Sequence, residues 1–267
     1  MAIYATGTTG TIGKHLRQEV ISLNLDLGSE NVKFEEIEFK PRDSYLHLAG
    51  IVGPANVEKN PDLSSRVNVS AVIELAEEFY SSAGTKFVFV STSHVYAPST
   101  TPISESQLTD PRNLYSQQKN AAELALLNIF SSHPERLCIV RIFSVLDWDV
   151  APFTLGGGIA KLMDQNSDYV LTNCDDVRDF LTPKTIATVL VRICETPTLF
   201  GVVNLCSGKA RTVGQAAREM LGPNVSAKAL ERMKPGRSDN PVIIGDNSKL
   251  RNALPGLDLH WSPSTSN

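Results

Sequence analysis

The chain has 267 residues, of which 42% are hydrophobic and 20% charged, and its net charge is −4. The size predicts one large domain or one domain with a small lobe, and the negative net charge argues against nucleic-acid binding. No apolar run approaches the length of a membrane span, and the first residues, MAIYATG, lack the features of a signal peptide. We expect a cytoplasmic protein without a metal centre, whose cysteines are buried thiols because no metal-binding spacing joins them: Cys138, Cys174, Cys194 and Cys206.

Strand-like and helix-like stretches alternate through the first part of the chain, which predicts a parallel sheet with helices on its faces. The predicted strands cover residues 2–6, 45–50, 86–92 and 137–143. The predicted helices follow the glycine turn that ends at Gly13, occupy 66–80, and begin at the stretch RNLYSQQKNAAE (112–123). The first of these helices is inferred from the spacing of Ile12, Leu16, Val20 and Leu23.

After residue 145 the elements become shorter and the loops longer. A strand is predicted at DYVLT (168–172), and further elements at 186–195, 201–207 and 213–221. The fold class is therefore α/β: a Rossmann-type doubly wound parallel sheet formed by residues 1–145, with a smaller C-terminal substrate-binding lobe formed by 146–267. Parts of 176–206 are expected to return to the main sheet.

The stretch TGTTGTIG (6–13) lies between the first strand and a predicted helix, which is the context of a dinucleotide-binding turn. Gly7 would permit the tight turn, Gly10 would let a pyrophosphate approach the backbone, and Gly13 would let the helix pack closely. Amides at the start of the helix would bind the phosphates. The candidate cofactor-binding residues are Gly7, Thr9, Gly10, Thr11, Ile12 and Gly13.

The group that meets the adenosine ribose is left open by the sequence. Lys40 and Arg42 could bind the 2′-phosphate of NADP, whereas Glu38 or Asp43 could bind the 2′-hydroxyl of NAD. A solvated charged loop is a further alternative. The cofactor is NADP or NAD, and the two basic residues favour NADP slightly.

Tyr115 and Lys119 are four residues apart on a predicted helix and therefore share a face. Thr92 ends a buried strand, at the edge of the sheet where ligands bind. An ammonium group near a phenol favours the phenolate, so Lys119 is expected to lower the pKa of Tyr115. Tyr115 could then exchange a proton with a carbonyl or carbinol oxygen while hydride moves to or from a nicotinamide.

Several motifs in one order resemble the extended short-chain dehydrogenases/reductases, and among them the NAD(P)-dependent nucleotide-sugar epimerases, dehydratases and ketoreductases. These motifs are TGTTGTIG (6–13), HLAG (47–50), NPDLSSRVNVSAV (60–72), STSHVYA (91–97), YSQQK (115–119), VRIF (140–143), RDFLTP (178–183), VVNLCSGKARTV (202–213), GRSDNPVIIGDNSKL (236–250) and LHWSPST (259–265). The resemblance implies that Thr92, Tyr115 and Lys119 are catalytic, and that the two last also bind the cofactor. It adds Leu48, Ala49 and Gly50 to the cofactor site.

The same resemblance implies a substrate site that recognises a nucleotide diphosphate. Its candidates are Ser93, His94, Ser144, Arg178, Lys234 and Arg237. The sequence departs from the family pattern at three of these positions. Ser93 and His94 stand where dehydratases carry an Asp-Glu pair, and Ser144 stands where the family usually has Asn.

The absent carboxylates argue against dehydration, so the leading hypothesis is reduction of a nucleotide-diphosphate 4-keto sugar with Tyr115 as the acid. The alternative is a C4 epimerase that keeps its NAD bound. A non-catalytic dinucleotide sensor ranks below both because such proteins commonly lose the Tyr or the Lys. No membrane or nucleic-acid partner is expected, whereas the resemblance allows a homodimer.

Overall fold

A computed structural model describes residues 1–16, 19–34 and 37–264. Its strands are β1 (Ile3–Thr6), β2 (Ile21–Ser22), β3 (Ser44–His47), β4 (Lys86–Thr92), β5 (Leu137–Ile142), β6 (Ser144–Val145), β7 (Val177–Leu181), β8 (Gly201–Leu205), β9 (Ala210–Thr212) and β10 (Val242–Ile243). Six parallel strands form the main sheet, in the order β2-β1-β3-β4-β5-β8. This sheet confirms the predicted α/β fold class.

The helices are α1 (Pro54–Lys59), α2 (Pro61–Ser65), α3 (Ala71–Tyr80), α4 (Leu114–Ile129), α5 (Leu155–Met163), α6 (Pro183–Glu195), α7 (Val213–Leu221), α8 (Ala227–Glu231) and α9 (Ser248–Ala253). A π-helical segment, Arg66–Ser70, joins α2 to α3, so the helix predicted at 66–80 begins earlier, at Pro61. None of the helices within the described residues is long and apolar enough to cross a membrane.

Helices cover both faces of the main sheet, which explains why β3 and β5 are buried along their whole length. On one face, α3 and α4 pack against an aromatic cluster that includes Tyr45, Phe79 and Phe87. On the other face, α6 contributes its apolar stripe to a core that also contains β1 and β8. The return of α6 and β8 to the main sheet brings residues from both halves of the sequence into one core.

The chain segment after the glycine turn is not the predicted helix. Gly13–His15 form one 3-10 turn, and Ile21 already pairs with Tyr4 of β1. Residues 17 and 18 lie outside the described part of the chain. The apolar spacing instead reflects packing against the core on the α6 side of the sheet, where Leu16 is fully buried and Val20 lies at the margin.

The remaining strands form a small second sheet in the order β10-β7-β6, with β9 antiparallel to β7. The strand predicted at DYVLT is wrong: only an isolated bridge joins Leu171 to Met233 there. The segment is fixed by reciprocal backbone bonds with the loop after α8, Leu171 to Arg232 and Lys234 to Leu171. Pairing with a loop therefore replaces pairing with a strand.

Candidate active site

The glycine turn lies at the switch point of the main sheet, because β1 is flanked by β2 on one side and β3 on the other. Gly7 has φ = 72°, and a Cβ there would lie 2.6 Å from the backbone nitrogen of Ala49. A Cβ on Gly13 would lie 2.0 Å from the carbonyl oxygen of Gly7. Close packing of backbone on backbone therefore requires glycine at both positions.

A groove of about 640 Å³ runs over this turn. The predicted cofactor residues that line it are Gly7, Thr9, Gly10, Thr11, Ile12, Leu48, Ala49 and Gly50. Gly13 is buried beneath the turn and does not line the groove. The exposed backbone at Gly10 and the apolar walls suit a dinucleotide, although the predicted contribution of a long helix to phosphate binding is absent from the described residues.

The far wall of the groove is formed by a segment that the sequence did not indicate. Val150, Ala151, Phe153 and Thr154 line it, and the Lys14 ammonium holds the segment by an ion pair of 2.5 Å with the Asp149 carboxylate. The only sequence signal for a close approach was the glycine cluster 156–158, where added side chains would meet this segment or Tyr169.

The groove continues into a second cavity of about 320 Å³, and the two share Ile12, residues 48–52, Val145 and Thr154. Thr92, Tyr115 and Lys119 line this cavity together with His94 and Ser144. The structure thus brings the three predicted catalytic residues together, next to the predicted dinucleotide groove.

Local capping explains the position of Tyr115. The Asn113 side chain accepts a hydrogen bond from the Ser116 amide at 2.9 Å, and the Ser116 hydroxyl accepts one from the Asn113 amide at 3.2 Å. This capping box begins α4 at Leu114 and places Tyr115 in the first turn. The residue faces the end of β4, where the Thr92 hydroxyl accepts a hydrogen bond from the His94 amide at 3.2 Å.

The electrostatics of the pair differ from the expectation. Burial raises the pKa of Tyr115 to about 12, and hydrogen bonding with Thr92 offsets only part of that effect. Burial also lowers the pKa of Lys119 to about 7, against the opposing charge of Glu123. The pKa of Tyr115 is therefore raised overall, because burial of the phenol outweighs the favourable contacts around it.

A buried polar cluster lies beneath Lys119. The Nδ1 atom of His47 lies 2.8 Å from the Tyr45 hydroxyl and 3.2 Å from the Thr6 hydroxyl. Burial, and then the charge of Lys119, lower the pKa of His47 to about 3, so the imidazole is neutral. Its Nε2 atom is buried without a hydrogen-bond partner among the described residues.

Asn68, in the π-helical segment, fixes the loop after β3. Its side chain accepts from the Ile51 amide at 2.9 Å and donates to the Ile51 carbonyl at 3.0 Å. The same amide donates to Gln118, beside Lys119. No role was predicted for Asn68, although single π-helical turns often mark functional sites once a structure is known.

The predicted substrate residues separate into two groups. His94 and Ser144 line the cavity. The pKa of His94 is lowered first by desolvation of the imidazole and then by the charge of Arg178. Ser93 is buried and does not line the cavity. Arg178 is engaged by Asp176 in an ion pair of 2.8 Å. The remaining two, Lys234 and Arg237, are exposed and do not line the cavity.

Three of the four candidates for the ribose 2′ group lie away from the glycine turn. Asp43 precedes β3 and accepts hydrogen bonds from the Ala2 and Lys40 amides, at the amino-terminal edge of the sheet. Arg42 is bound through its amide to Thr85 at the same edge. Glu38, too, precedes β3. Lys40, Arg42 and Asp43 therefore lie opposite the glycine turn, which removes the basis for favouring NADP.

The strand that follows the glycine turn is β2, and Asp26 comes shortly after it. Asp26 is exposed and comes 19 positions after Gly7, close to the usual spacing of about twenty for a ribose-binding acid. One of its carboxylate oxygens accepts from the Gly28 amide at 3.1 Å. This spacing is the sequence signal that makes Asp26 a candidate for a ribose-binding acid. Among the described residues, no cluster of His, Cys, Asp and Glu is arranged to hold a metal ion.

The sequence pattern of the NAD dependent epimerase/dehydratase family matches residues 3–206. A similar protein is GDP-6-deoxy-D-talose 4-dehydrogenase of Aggregatibacter actinomycetemcomitans. The two are 25% identical over an alignment of 280 positions, gaps included, which covers 98% of this chain and 94% of the relative. Another is UDP-glucose 4-epimerase of Azospirillum brasilense, 27% identical over 88% of this chain and 74% of the relative.

Solved structures support the same fold. RMD from Pseudomonas aeruginosa, complexed with NADPH, superposes with a TM-score of 0.80 at 20% identity, over 98% of this chain and 94% of that one. MoeE5 in complex with UDP-glucose and NAD superposes with a TM-score of 0.77 at 20% identity, over the same shares of the two chains. Structural neighbours thus bind nucleotide sugars and either NADPH or NAD.

Proposed function

Because this chain belongs to the NAD-dependent epimerase/dehydratase family, we propose that it reduces a nucleotide-diphosphate 4-keto sugar by hydride transfer. The observation that carries this proposal is the single cleft lined by Thr92, Tyr115 and Lys119, which continues into the groove over the glycine turn. A sugar carbon bound there would lie between the acid and the nicotinamide end of a dinucleotide.

The protein groups would act on the carbonyl oxygen. A bound nicotinamide cofactor supplies the hydride that adds to the carbonyl carbon. Tyr115 donates its proton to the oxygen, while the Thr92 hydroxyl holds that oxygen by a hydrogen bond. Lys119 supplies positive charge that stabilises the tyrosinate left behind, and its second role is to hold the cofactor ribose. In the oxidative direction Tyr115 takes the proton from the hydroxyl.

The residues after Thr92 favour hydride chemistry without dehydration. Elimination of water needs an acid and a base beside the sugar, whereas this chain has Ser93, which is buried and does not line the cavity, and His94. The relative that aligns with nearly the whole chain is named a 4-dehydrogenase, which is the reverse of 4-keto reduction. Both facts support chemistry confined to C4.

The substrate would lie between the sheet and the lobe formed by residues 146–267. In that proposal His94 and Ser144 contact the sugar, and Arg178 binds the diphosphate, for which it would have to share or exchange its present partner Asp176. Lys234 and Arg237 are exposed and could approach the diphosphate only from outside the cavity. They are therefore secondary candidates.

The polar groups near the end of β2 support NAD(H) as the cofactor used. Asp26 carries a negative charge that suits a ribose 2′-hydroxyl and repels a 2′-phosphate. The basic residues that favoured NADP lie at the opposite edge of the sheet. This preference also strengthens the second candidate function, a C4 epimerase that retains and recycles NAD, the activity named for a relative aligned over 88% of this chain.

The experiment is to mix the purified protein with a nucleotide-diphosphate 4-keto sugar and follow oxidation of NADH and NADPH. A reductase consumes one reduced cofactor per product, whereas an epimerase interconverts the C4 hydroxyl epimers without net turnover and releases NAD when denatured. Tyr115→Phe should lower turnover by about 10²- to 10⁴-fold. Tyr80→Phe, whose ring packs on Phe130 away from the cleft, is the matched control. Full turnover by Tyr115→Phe would contradict the proposal.

A homodimer through α4 is a further part of the proposal. Leu124 and Leu127 are 60% and 42% exposed on the outer face of α4, the helix that carries Tyr115. Burial of two adjacent leucines against a second copy would remove an apolar patch from water. A cytoplasmic location is also proposed, since the four cysteines are free, buried thiols.

A further inference from the structure

Glu123 is a buried carboxylate next to the proposed catalytic groups. It follows Lys119 by one helical turn, as Lys119 follows Tyr115, so the three side chains share a face of α4. Glu123 is 1% exposed and Lys119 is 6% exposed. The opposite charges are close enough that Glu123 opposes the effect of burial on the pKa of Lys119.

The carboxylate is held from two strands. The Arg141 guanidinium donates to it through Nη2 at 2.5 Å and through Nε at 3.1 and 3.2 Å. The Ser91 hydroxyl also donates to the carboxylate, at Oε1. Since Ser91 directly precedes Thr92, and Arg141 lies on the strand that leads to Ser144, this one carboxylate ties α4 to two of the strands that end in the cleft.

Arg141 is itself fixed from behind. Its guanidinium lies 4.4 Å from the centroid of the Tyr96 ring, and the Tyr96 hydroxyl donates to the Asn204 side chain at 2.6 Å. Such a fully buried ion pair is a weak source of stability, because desolvation consumes much of the attraction. Apolar residues could therefore fill the same space with a smaller desolvation penalty. The location of the pair beside Lys119 indicates a role in the site rather than in packing.

We propose that Glu123 is a positioning residue: its buried carboxylate, fixed by Arg141 and Ser91, keeps the Lys119 ammonium charged and directed at the cleft, and aligns Tyr115 with Thr92. The proposal rests on the proposed function, in which Lys119 acts as a cation. Glu123 lies one turn beyond Lys119 and acts through it rather than by contact with the reacting atoms.

The other groups that face Lys119 do not supply a compensating negative charge. His47 of β3 is neutral, as burial lowers its pKa to about 3. Phe89 of β4 presents its ring, and burial raises the pKa of Tyr115 to about 12, so the phenol is neutral as well. Arg141 of β5 is positive and is paired with Glu123. Removal of the Glu123 charge should therefore make Lys119 lose its proton at a lower pH.

The test compares the pH profile of turnover and the pH dependence of the NADH dissociation constant in wild type and Glu123→Gln. As Lys119 loses its proton, turnover should fall and the dissociation constant of NADH should rise. In the variant, this alkaline limb should move to lower pH by about one unit. Glu123→Asp keeps the negative charge, so its alkaline limb should lie closer to that of wild type than the limb of Glu123→Gln does. Glu74→Gln, which breaks the Arg66 ion pair on α3, is the matched control and should leave the limb in place.

Glu123→Gln leaves Arg141 buried and unpaired and could fail to fold, so the double variant Glu123→Gln with Arg141→Met is measured alongside. It should show a smaller shift of the same sign. An alkaline limb at the wild-type pH in any folded variant without the carboxylate would overturn the proposal, even if overall activity fell. If the limb is unchanged and Tyr115→Phe is inactive in the same assays, only the role of Glu123 is disproved. If Tyr115→Phe is fully active, the proposed function itself fails.

Discussion

The ammonium nitrogen of Lys119 lies 3.9 Å from the centroid of the Phe89 ring, in a site where the residue is 6% exposed. The ring attracts the cation, but it does not replace the water that the ammonium has lost. Burial accordingly lowers the pKa of Lys119 to about 7. Lys119 is thus poised to change its charge near neutral pH.

The first prediction concerns stability as a function of pH. The pKa of Lys119 is about 7 in the folded protein and about 10.4 in the unfolded chain. Between these values the unfolded state binds more protons, so the free energy of unfolding should rise with pH. Lys119→Met should abolish this contribution, which is at most on the order of 5 kcal/mol, and should be the more stable protein at and below about pH 7.

Urea unfolding of wild type and Lys119→Met at several pH values between about 6 and 10 measures the difference. The other titrating groups, including the buried cysteines, are common to both proteins and cancel. Lys161→Met, at a lysine on α5 away from the cleft, is the control and should give a curve parallel to wild type. If the curve of Lys119→Met were also parallel to wild type, Lys119 would not be desolvated in solution.

The glycine turn gives the second prediction. A Cβ on Gly13 would lie 2.0 Å from the Gly7 carbonyl oxygen, a backbone atom that cannot move freely, whereas a Cβ on Gly10 would lie 3.3 Å from the same atom. Gly13→Ala should cost about 3 kcal/mol of unfolding free energy, or more. Gly10→Ala should cost less than about 1 kcal/mol and should instead weaken dinucleotide binding.

Thermal unfolding and titration with NADH separate the two effects. The expected pattern is a lowered Tm for Gly13→Ala, and a near-normal Tm with a raised dissociation constant for Gly10→Ala. A Gly10→Ala protein that binds the dinucleotide as tightly as wild type would show that the cofactor backbone does not pass over this position.

The sequence predicted those parts of the site whose local signals agree with the fold. The strand at 86–92 has the predicted bounds, because its nearly continuous apolar run is covered by helices on both faces. Helix α4 begins within the predicted stretch because Asn113 caps it locally. Because local signals determine both the end of β4 and the start of α4, Thr92 and Tyr115 could be expected to lie close together.

The parts that the sequence did not predict depend on distant contacts. The spacing of Ile12, Leu16 and Val20 suits a helix, but these residues pack at or near the core under α6, which lies more than 160 positions away in the chain. Because the crossover is short, β2 comes early, and Lys40 and Arg42 fall before β3 at the wrong edge of the sheet. The segment that includes Phe153 has no periodic pattern, and only its contacts reveal that it lines the groove.

The third prediction tests the homodimer. Replacing both Leu124 and Leu127 with Glu puts two charges on the outer face of α4, where they would be desolvated in an interface but harmless in a monomer. Light scattering should report wild type as a dimer and the double variant as a monomer with an unchanged circular dichroism spectrum. Leu108→Glu, at a leucine that is 79% exposed in a loop, is the control and should remain dimeric. A monomeric wild type would contradict this part of the proposal.

The fourth prediction concerns the cofactor. Asp26 follows β2 at the edge of the sheet that carries the glycine turn, and the loss of a charged hydrogen-bond acceptor costs about 1.5–3 kcal/mol. Asp26→Ala should therefore weaken NADH binding about tenfold or more, and it should not weaken NADPH binding, since the removed charge repels a 2′-phosphate. Asp26→Arg should favour NADPH outright.

Arg42→Ala provides the matched control, because its exposed side chain lies at the amino-terminal edge of the sheet, across from the glycine turn. It should leave both dissociation constants unchanged. Fluorescence titration with NADH and NADPH measures all four proteins under the same conditions. If Arg42→Ala selectively weakened NADPH binding, the 2′ group would lie near residue 42 in solution, and the assignment of β2 as the strand that precedes the ribose would have to be abandoned. If Asp26→Ala weakened both cofactors equally, Asp26 would support the loop after β2 without contacting the ribose.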